Sequence, residues 1–421
     1  MSNGGKYEQW VDSVNNFLLI SDKHIIDLVP IVMISHRLQG DPVWCYLVAP
    51  PGGSKTEFIN AMATVHGVYP LSSLTSKTLA SGAKMGGAGR TASLLTKIQN
   101  GYITIEDFTT INSQNREEVK EIMGQMRSIY GGKFIKEFGT GERLNWEGKI
   151  TLIAGATYEI FNFRELFSSL GERFLIYQIE QPDRKDASRR GMGNQSGGNI
   201  ATLRLTMRDA LKNLMDDGIK IPTIMPKLDE KTKEDLLDIS EFVTRARSSV
   251  ERDYRSPKKE IIDVHPPEMP TRFSAQLQIL GESCMILNGY KYGKEEFRPE
   301  NFEMLNKIGF NSISHNKHTA LGILAGYERV DTAAIAVKLN FPTPTVRRWL
   351  EDMNALKVLD RVKGNGGPKG DKWELKEHYR DLMRRFEHIE VKGTEYTTDA
   401  AQVETGNTIM DENTDDGFGE F

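Results

Sequence analysis

The chain has 421 residues, 38% of them hydrophobic and 27% charged, with a formal net charge of −4. That length accommodates two or three domains with real cores, and no apolar run approaches the ~18 residues of a membrane span. Eight acidic and no basic residues follow Lys392, so residues 1–392 carry +4, a mildly basic body that permits nucleic-acid binding.

The opening MSNGGKYEQW lacks the basic-then-apolar pattern of a signal peptide, so no leader is expected. Cys45 and Cys284 lie in apolar contexts without a CxxC or CxxxH partner. Buried thiols in a reducing, cytoplasmic compartment are expected, with no disulfide, no membrane partner and no cysteine-held metal. Apolar residues recurring at three and four predict helices over 10–20 and 23–38, with Pro30 kinking or dividing the second. Simple packing of residues 1–42 against the following domain is the expectation. From Val43 strands and helices alternate, the α/β signature of a mostly parallel sheet.

Residues 43–56, VWCYLVAPPGGSKT, read as strand, loop and helix start. The spacing matches the phosphate-binding pattern G-x-x-x-x-G-K-[ST], with Ala49 and Ser54 at its two glycine positions. In such a loop, Pro51-Gly52-Gly53-Ser54, the backbone N–H groups from Gly52 onward converge on phosphate, and the helix directs its positive end at the same point. Lys55 then reaches the β- and γ-phosphates of ATP, and the Thr56 hydroxyl ligates Mg²⁺.

The strand 101–105, GYITI, ends in Glu106-Asp107, where Mg²⁺ and an attacking water are held in this kind of site. Two assignments are open. Either Glu106 supports the metal and Asp107 polarises water, or Asp107 takes the metal and the water-activating acid lies elsewhere. Residues 116–127 have helical spacing, and a β-hairpin around Gly139-Thr140-Gly141 presents Lys133, Lys136 and Arg143. A second buried strand, 149–155, ends at Ala156-Thr157; Thr157 serves the water or γ-phosphate, or caps a helix. Arg173 precedes the apolar run FLIYQI, poorly placed for its own nucleotide and well placed at a subunit edge. Polar, Gly/Ser-rich residues 181–199 read as a mobile linker. Helices follow at 200–216 and 228–255, and another carries Arg272.

The order APPGGSKT, ITIEDF, basic hairpin, LIAGAT, LGERF and PTRFSAQLQIL resembles the AAA+ ATPases. The likeness is greatest to the minichromosome-maintenance-like hexameric replicative helicases, including single-chain forms of phages and mobile elements, and runs from Val43 to Leu350. It implies a nucleotide-binding core (43–180), a helical lid (200–315) and a hexameric ring coupling ATP hydrolysis to movement on DNA. By similarity Glu106 and Asp107 are the acidic pair, Thr157 the first polar sensor and Arg173 the arginine finger acting on a neighbour. Arg272 is the second sensor, and Lys133 and Lys136 track DNA in the pore. The DNA-binding collar and the second DNA-contacting insertion, before Gly101, are expected to be absent. The other functions weighed are a helicase loader or replication initiator, and an ATP-gated DNA-binding regulator.

Residues 316–391 resemble a winged helix-turn-helix, with Thr345–Leu350 on the recognition helix and DRVKGNGGPKGDKWEL as a wing. Arg347, Arg348, Lys363 and Lys369 then face DNA phosphates. The tail 392–421 is polar and acidic, hence disordered. Its end, Asp415-Asp416 followed by Phe418 and Phe421, resembles the partner-docking tips of bacterial single-stranded-DNA-binding proteins, which implies a replication-protein partner.

Overall fold

A computed structural model describes residues 5–81, 84–85, 90–91, 93–139, 141–161, 172–253, 255–256, 259–362 and 370–402, with 84–85, 90–91 and 112 by backbone alone. The chain forms two compact units, Met1–Leu236 with Thr271–Gly309 and Leu237–Pro270 with Phe310–Phe421.

The strands of the first unit, in chain order, are β1 (Trp44–Val48), β2 (Val68–Leu71), β3 (Lys84–Met85), β4 (Arg90–Thr91) and β5 (Asn100–Ile105). They continue with β6 (Lys133–Glu137), β7 (Arg143–Glu147), β8 (Lys149–Ala156) and β9 (Phe174–Gln178). Five of them make a sheet ordered β2-β5-β8-β1-β9, every neighbouring pair parallel. Both faces are covered, which is why β1 is buried at all five positions and β8 at every residue after Lys149.

On one face Trp44, Tyr46, Ile103, Ile105 and Leu152 pack with Val119, Ile122, Met126 and Ile129 of helix Arg116–Tyr130. Asn115 starts that helix by accepting from the Glu118 N–H at 2.9 Å. The hairpin β6–β7 joins the same cluster through Phe134, Leu144 and Trp146, whose indole donates to the Ile98 carbonyl at 2.6 Å. The other face carries α1 (Gly5–Phe17), α2 (His24–His36) and α3 (Lys55–Met62). Ten of the thirteen residues of α2 are buried and the helix runs through Pro30. An interior proline costs ~3 kcal/mol, an amount that burial of two or three aliphatic side chains offsets.

Several boundaries differ from expectation. Residues 181–199 are not a plain linker: Arg184–Ser196 is helical, capped by Asp183, whose carboxylate accepts from the Lys185 and Asp186 N–H groups at 2.9 and 3.0 Å. Its end is tied to α1, Asn194 donating to the Phe17 carbonyl at 2.8 Å. The 200–315 segment is not one body either. Helix Ile200–Lys212 packs on α1 and α3, Arg204 grips Glu57 with Nη2–Oε1 at 2.6 Å, and helix Thr271–Tyr292 packs on α2. Apolar stripes such as Met207, Ala210 and Leu211 bind these helices to the sheet unit. Between β2 and β5, where no insertion was expected, β3 and β4 form a short antiparallel pair.

The second unit contains β10 (Glu251–Arg252), β11 (Ile261–Asp263), β12 (Tyr327–Asp331), β13 (Leu359–Val362), β14 (Lys372–Leu375) and β15 (Gly393–Tyr396). Four of these form a sheet ordered β13-β14-β12-β15. The expected disordered tail therefore begins too early: β15 pairs in parallel with β12, Tyr396 stacks on Tyr327 at 4.7 Å, and Glu395 meets Lys372 at 2.7 Å. Two aromatics and an ion pair outweigh the polar composition of 392–402. The acidic tip with Phe418 and Phe421, and Lys363 and Lys369 of the expected wing, lie outside the described residues. Among the described residues both cysteines are buried and unpaired, and no helix is long and apolar enough to cross a membrane.

His36 offers a test of the α2 face. Its ring packs on Tyr102 at 4.5 Å and its Nδ1 bonds the Thr151 hydroxyl at 3.2 Å. Burial, then the charges of Lys149 and Arg37, lower its pKa to about 4. The unfolded chain takes up this proton near pH 6.5 and the folded chain resists it, so the contribution is complete above that pH and lost as pH falls toward 4. The thermal midpoint of His36→Gln is expected to depend less steeply on pH over that interval than that of the wild type.

Candidate functional site

The loop after β1 leaves the C-terminal edge of the sheet at its interior, between β8 and β9. Its first residue stays on the sheet through Ala49 N–H to the Ala156 carbonyl at 3.2 Å, and Gly53 N–H closes a turn on the Pro50 carbonyl at 3.0 Å. After Pro51, Gly52 has φ +79° and Ser54 has φ +64°. Both are left-handed, and for a serine that costs about 1 kcal/mol. A Cβ on Gly53 would lie 2.8 Å from Ala49 Cβ and from Gln181 Oε1, so only glycine fits. Helix α3 starts at Lys55, and the N–H groups of Lys55 and Thr56 in its first turn have no carbonyl of that helix to bond.

Lys55 is 6% exposed, and its ammonium curls back to the Pro50 carbonyl at 3.4 Å. Burial lowers its pKa, while the negative charge of Asp107 opposes that shift. The fold thus sets the loop lysine and one strand-end acid, more than fifty residues apart in sequence, within electrostatic reach of each other.

Asp107 is fixed. Its carboxylate accepts from the Thr109 N–H at 2.9 Å and from the Thr109 hydroxyl, capping the turn Phe108–Ser113. The backbone of Glu106 is held to the Leu71 carbonyl at 3.1 Å, and its carboxylate bonds none of the described residues. Thr157 follows β8, the neighbour of both β1 and β5. Its hydroxyl is buried without a hydrogen-bond partner among the described residues, so it does not cap the following turn. An unpaired buried hydroxyl costs ~1–3 kcal/mol, a cost that a phosphate oxygen or a held water would relieve. Left-handed loop, helix start, buried ammonium, two carboxylates and unpaired hydroxyl together suit a polyphosphate and its Mg²⁺, with Thr56, Glu106 and Asp107 the oxygen ligands available.

Two residues here escaped the sequence reading. Gly155 lies where a Cβ would be 2.3 Å from the Glu106 carbonyl and 3.6 Å from Lys55 Cδ. A glycine inside an otherwise apolar strand was the available signal. Gln181 lies against the loop through Gly53, and nothing in its local sequence announces that.

Arg173 and Arg272 gather elsewhere. In register β9 runs beside β1 from Phe174↔Trp44 to Gln178↔Val48. Arg173 is therefore at the N-terminal edge and the Lys55 loop at the C-terminal edge, on the order of 15 Å away along the strands. Arg272 donates to the Glu172 carbonyl at 3.2 Å, and Gln276 to the Arg173 carbonyl at 2.8 Å. Both guanidiniums lie over the ring of Tyr130, with Cζ 5.6 and 5.9 Å from its centroid.

No family model and no curated protein matches this chain.

The basic residues expected to meet DNA that lie among the described residues have partners. Lys133 pairs with Glu147 at 3.5 Å, Lys136 with Glu121 at 2.8 Å and Arg143 with Glu137 at 3.8 Å. In the second unit Arg347 reaches Asp371 at 2.9 Å, sharing it with Arg361, and Arg348 donates to the Thr345 hydroxyl at 3.0 Å. Exposed pairs of this kind contribute ~0–1 kcal/mol, so phosphate can displace the acids, but the surface is less positive than its cation count.

Gly155→Ala is expected to destabilise the first unit by about 1–3 kcal/mol through overpacking against the Glu106 carbonyl. At the loop, Ser54→Gly should keep stability, whereas a β-branched Ser54→Val loses about 1–2 kcal/mol at its positive φ. Denaturant unfolding of the three variants checks both.

Proposed function

We propose that the chain is a P-loop ATPase of the AAA+ kind that works as a ring, as a DNA motor of replicative-helicase type. The observation that carries this reading is the polarity of the sheet. One edge holds the loop lysine within electrostatic reach of Asp107, and the opposite edge holds two arginines on one aromatic ring. The arginines of one chain are too far from its own loop, so they suit the nucleotide of a second copy.

On this reading the Gly52–Thr56 backbone and Lys55 hold the phosphates of ATP. Asp107, fixed by Thr109 and within electrostatic reach of Lys55, takes the metal together with Thr56. Glu106, whose carboxylate is uncommitted among the described residues, orients the attacking water, and the Thr157 hydroxyl, unpaired among the described residues, holds that water or the γ-phosphate. Mg²⁺, when bound, neutralises charge on the β- and γ-oxygens. Arg173 and Arg272 from the neighbour stabilise charge that develops in the transition state. The helices of 200–236 and 271–309 correspond to the lid. Helices Thr332–Leu339 and Thr343–Ala355 with hairpin β13–β14 support a winged helix-turn-helix. A hexamer acting on DNA in the cytoplasm completes the proposal.

The acid partners of Lys133, Lys136, Arg143 and Arg347 favour one second reading, a loader or initiator that assembles on DNA with ATP and does not unwind it. Displacement of a labelled strand from a fork by wild type, and not by Lys55→Ala, decides for the motor; ATP-dependent DNA binding without displacement decides for the loader.

Arg173→Ala is expected to retain ATP and lose turnover by 10³-fold or more, while wild-type turnover per chain rises with protein concentration as copies associate. Normal turnover by Arg173→Ala removes the arginine assignment. For DNA, Lys133→Ala should flatten the log–log salt dependence of binding by up to about one unit, and an unchanged slope removes the hairpin from the interface.

A further inference from the structure

We infer that Tyr130 is the positioning residue that makes Arg173 and Arg272 a single cationic unit aimed at the nucleotide of a neighbouring copy; this rests on the reading just proposed. Tyr130 ends helix Arg116–Tyr130 and is 4% exposed. Its ring stands edge-on against Trp44 of β1, with centroids 5.1 Å apart and planes at 86°. Helix and strand therefore fix the direction of its face. Both guanidiniums lie over that ring, one carried by the residue before β9 and the other by the first turn of helix Thr271–Tyr292.

Two like charges gathered on one ring repel, and long arginine side chains at a subunit edge have many rotamers. The negative face of the phenol ring attracts both cations. The backbone supports the same geometry, because Arg272 and Gln276 of one helix donate to the consecutive carbonyls of Glu172 and Arg173. Removing the ring leaves both cations and their backbone contacts present and the Lys55 loop intact, but takes away the aromatic surface that the two guanidiniums share. The loss then falls on transition-state stabilisation, and ATP affinity, set at the opposite edge of the sheet, is spared.

The test uses the full chain, with ATP binding and steady-state turnover measured for Tyr130→Leu, Tyr130→Phe, Arg173→Ala and Lys55→Ala. Tyr130→Leu is expected to bind ATP like wild type while kcat falls on the order of tenfold or more with little change in KM. Tyr130→Phe, which keeps the ring face, should restore kcat. Mixing Tyr130→Leu with Lys55→Ala should raise turnover above either alone, because Lys55→Ala copies bring intact arginines to the loaded loops of their neighbours. Should Tyr130→Leu fail to retain ATP, Tyr130→Met, which leaves less of a cavity, takes the same test. Wild-type kcat in the ringless variant, or equal loss in Tyr130→Phe, overturns the proposal. So does a mixture that gains nothing while Arg173→Ala with Lys55→Ala does gain. Full turnover by Arg173→Ala is a separate result that overturns the trans-arginine reading beneath it.

Discussion

The parallel pairing of β1 between β8 and β9 is the constraint from which the rest of the site follows. Because strands in such a sheet all point the same way, every loop at the C-terminal edge opens into one crevice and every loop at the N-terminal edge faces away from it. The loop bearing Lys55, the acids after β5 and the threonine after β8 share the first edge; Arg173 is confined to the second. No side-chain rotation reverses that arrangement. The strand run itself is held by burial, with the aromatics Trp44 and Tyr46 of β1 packed on Phe174 of β9 and on the helix that ends at Tyr130.

Within the crevice, backbone proximity matters as much as charge. Gly155 lets the end of β8 approach the Glu106 carbonyl, at a point that the stem of Lys55 also borders. Gly53 does the equivalent against Ala49 and Gln181. The serine at position 54 holds the left-handed turn that glycine would adopt more cheaply. Local strain of this kind persists only where surrounding packing determines the backbone, here a loop clamped at both ends by β1 and α3. Asp107 is restrained as well, since its cap on Thr109 commits one carboxylate oxygen before any ligand arrives.

Electrostatics divides the molecule differently from the formal count. Lys133, Lys136 and Arg143 of the hairpin and Arg347 of helix Thr343–Ala355 are ion-paired in the folded chain, so these positions are not bare positive charge. Arg173 and Arg272 meet on an aromatic face, whose negative quadrupole attracts both guanidiniums.

The residue order alone determined the parallel α/β class, the strand–loop–helix at 44–62, the acid-ended strand, the hairpin at 133–147 and the burial of both cysteines. Each is local: a run of apolar residues, a turn chemistry or a periodicity acts over ten to twenty positions, within the range that pattern can express. Tertiary packing decided the rest. Polar residues 184–196 became helical once Asp183 capped them and Asn194 found Phe17; residues 393–396 became a strand because Tyr327 and Lys372 were there to receive them. Gly155 beside Lys55, Asp107 within reach of the same lysine, and two arginines a hundred residues apart on one tyrosine ring depend on strand order. Strand order is set by which buried faces match across the whole sheet, so no short window of sequence contains it.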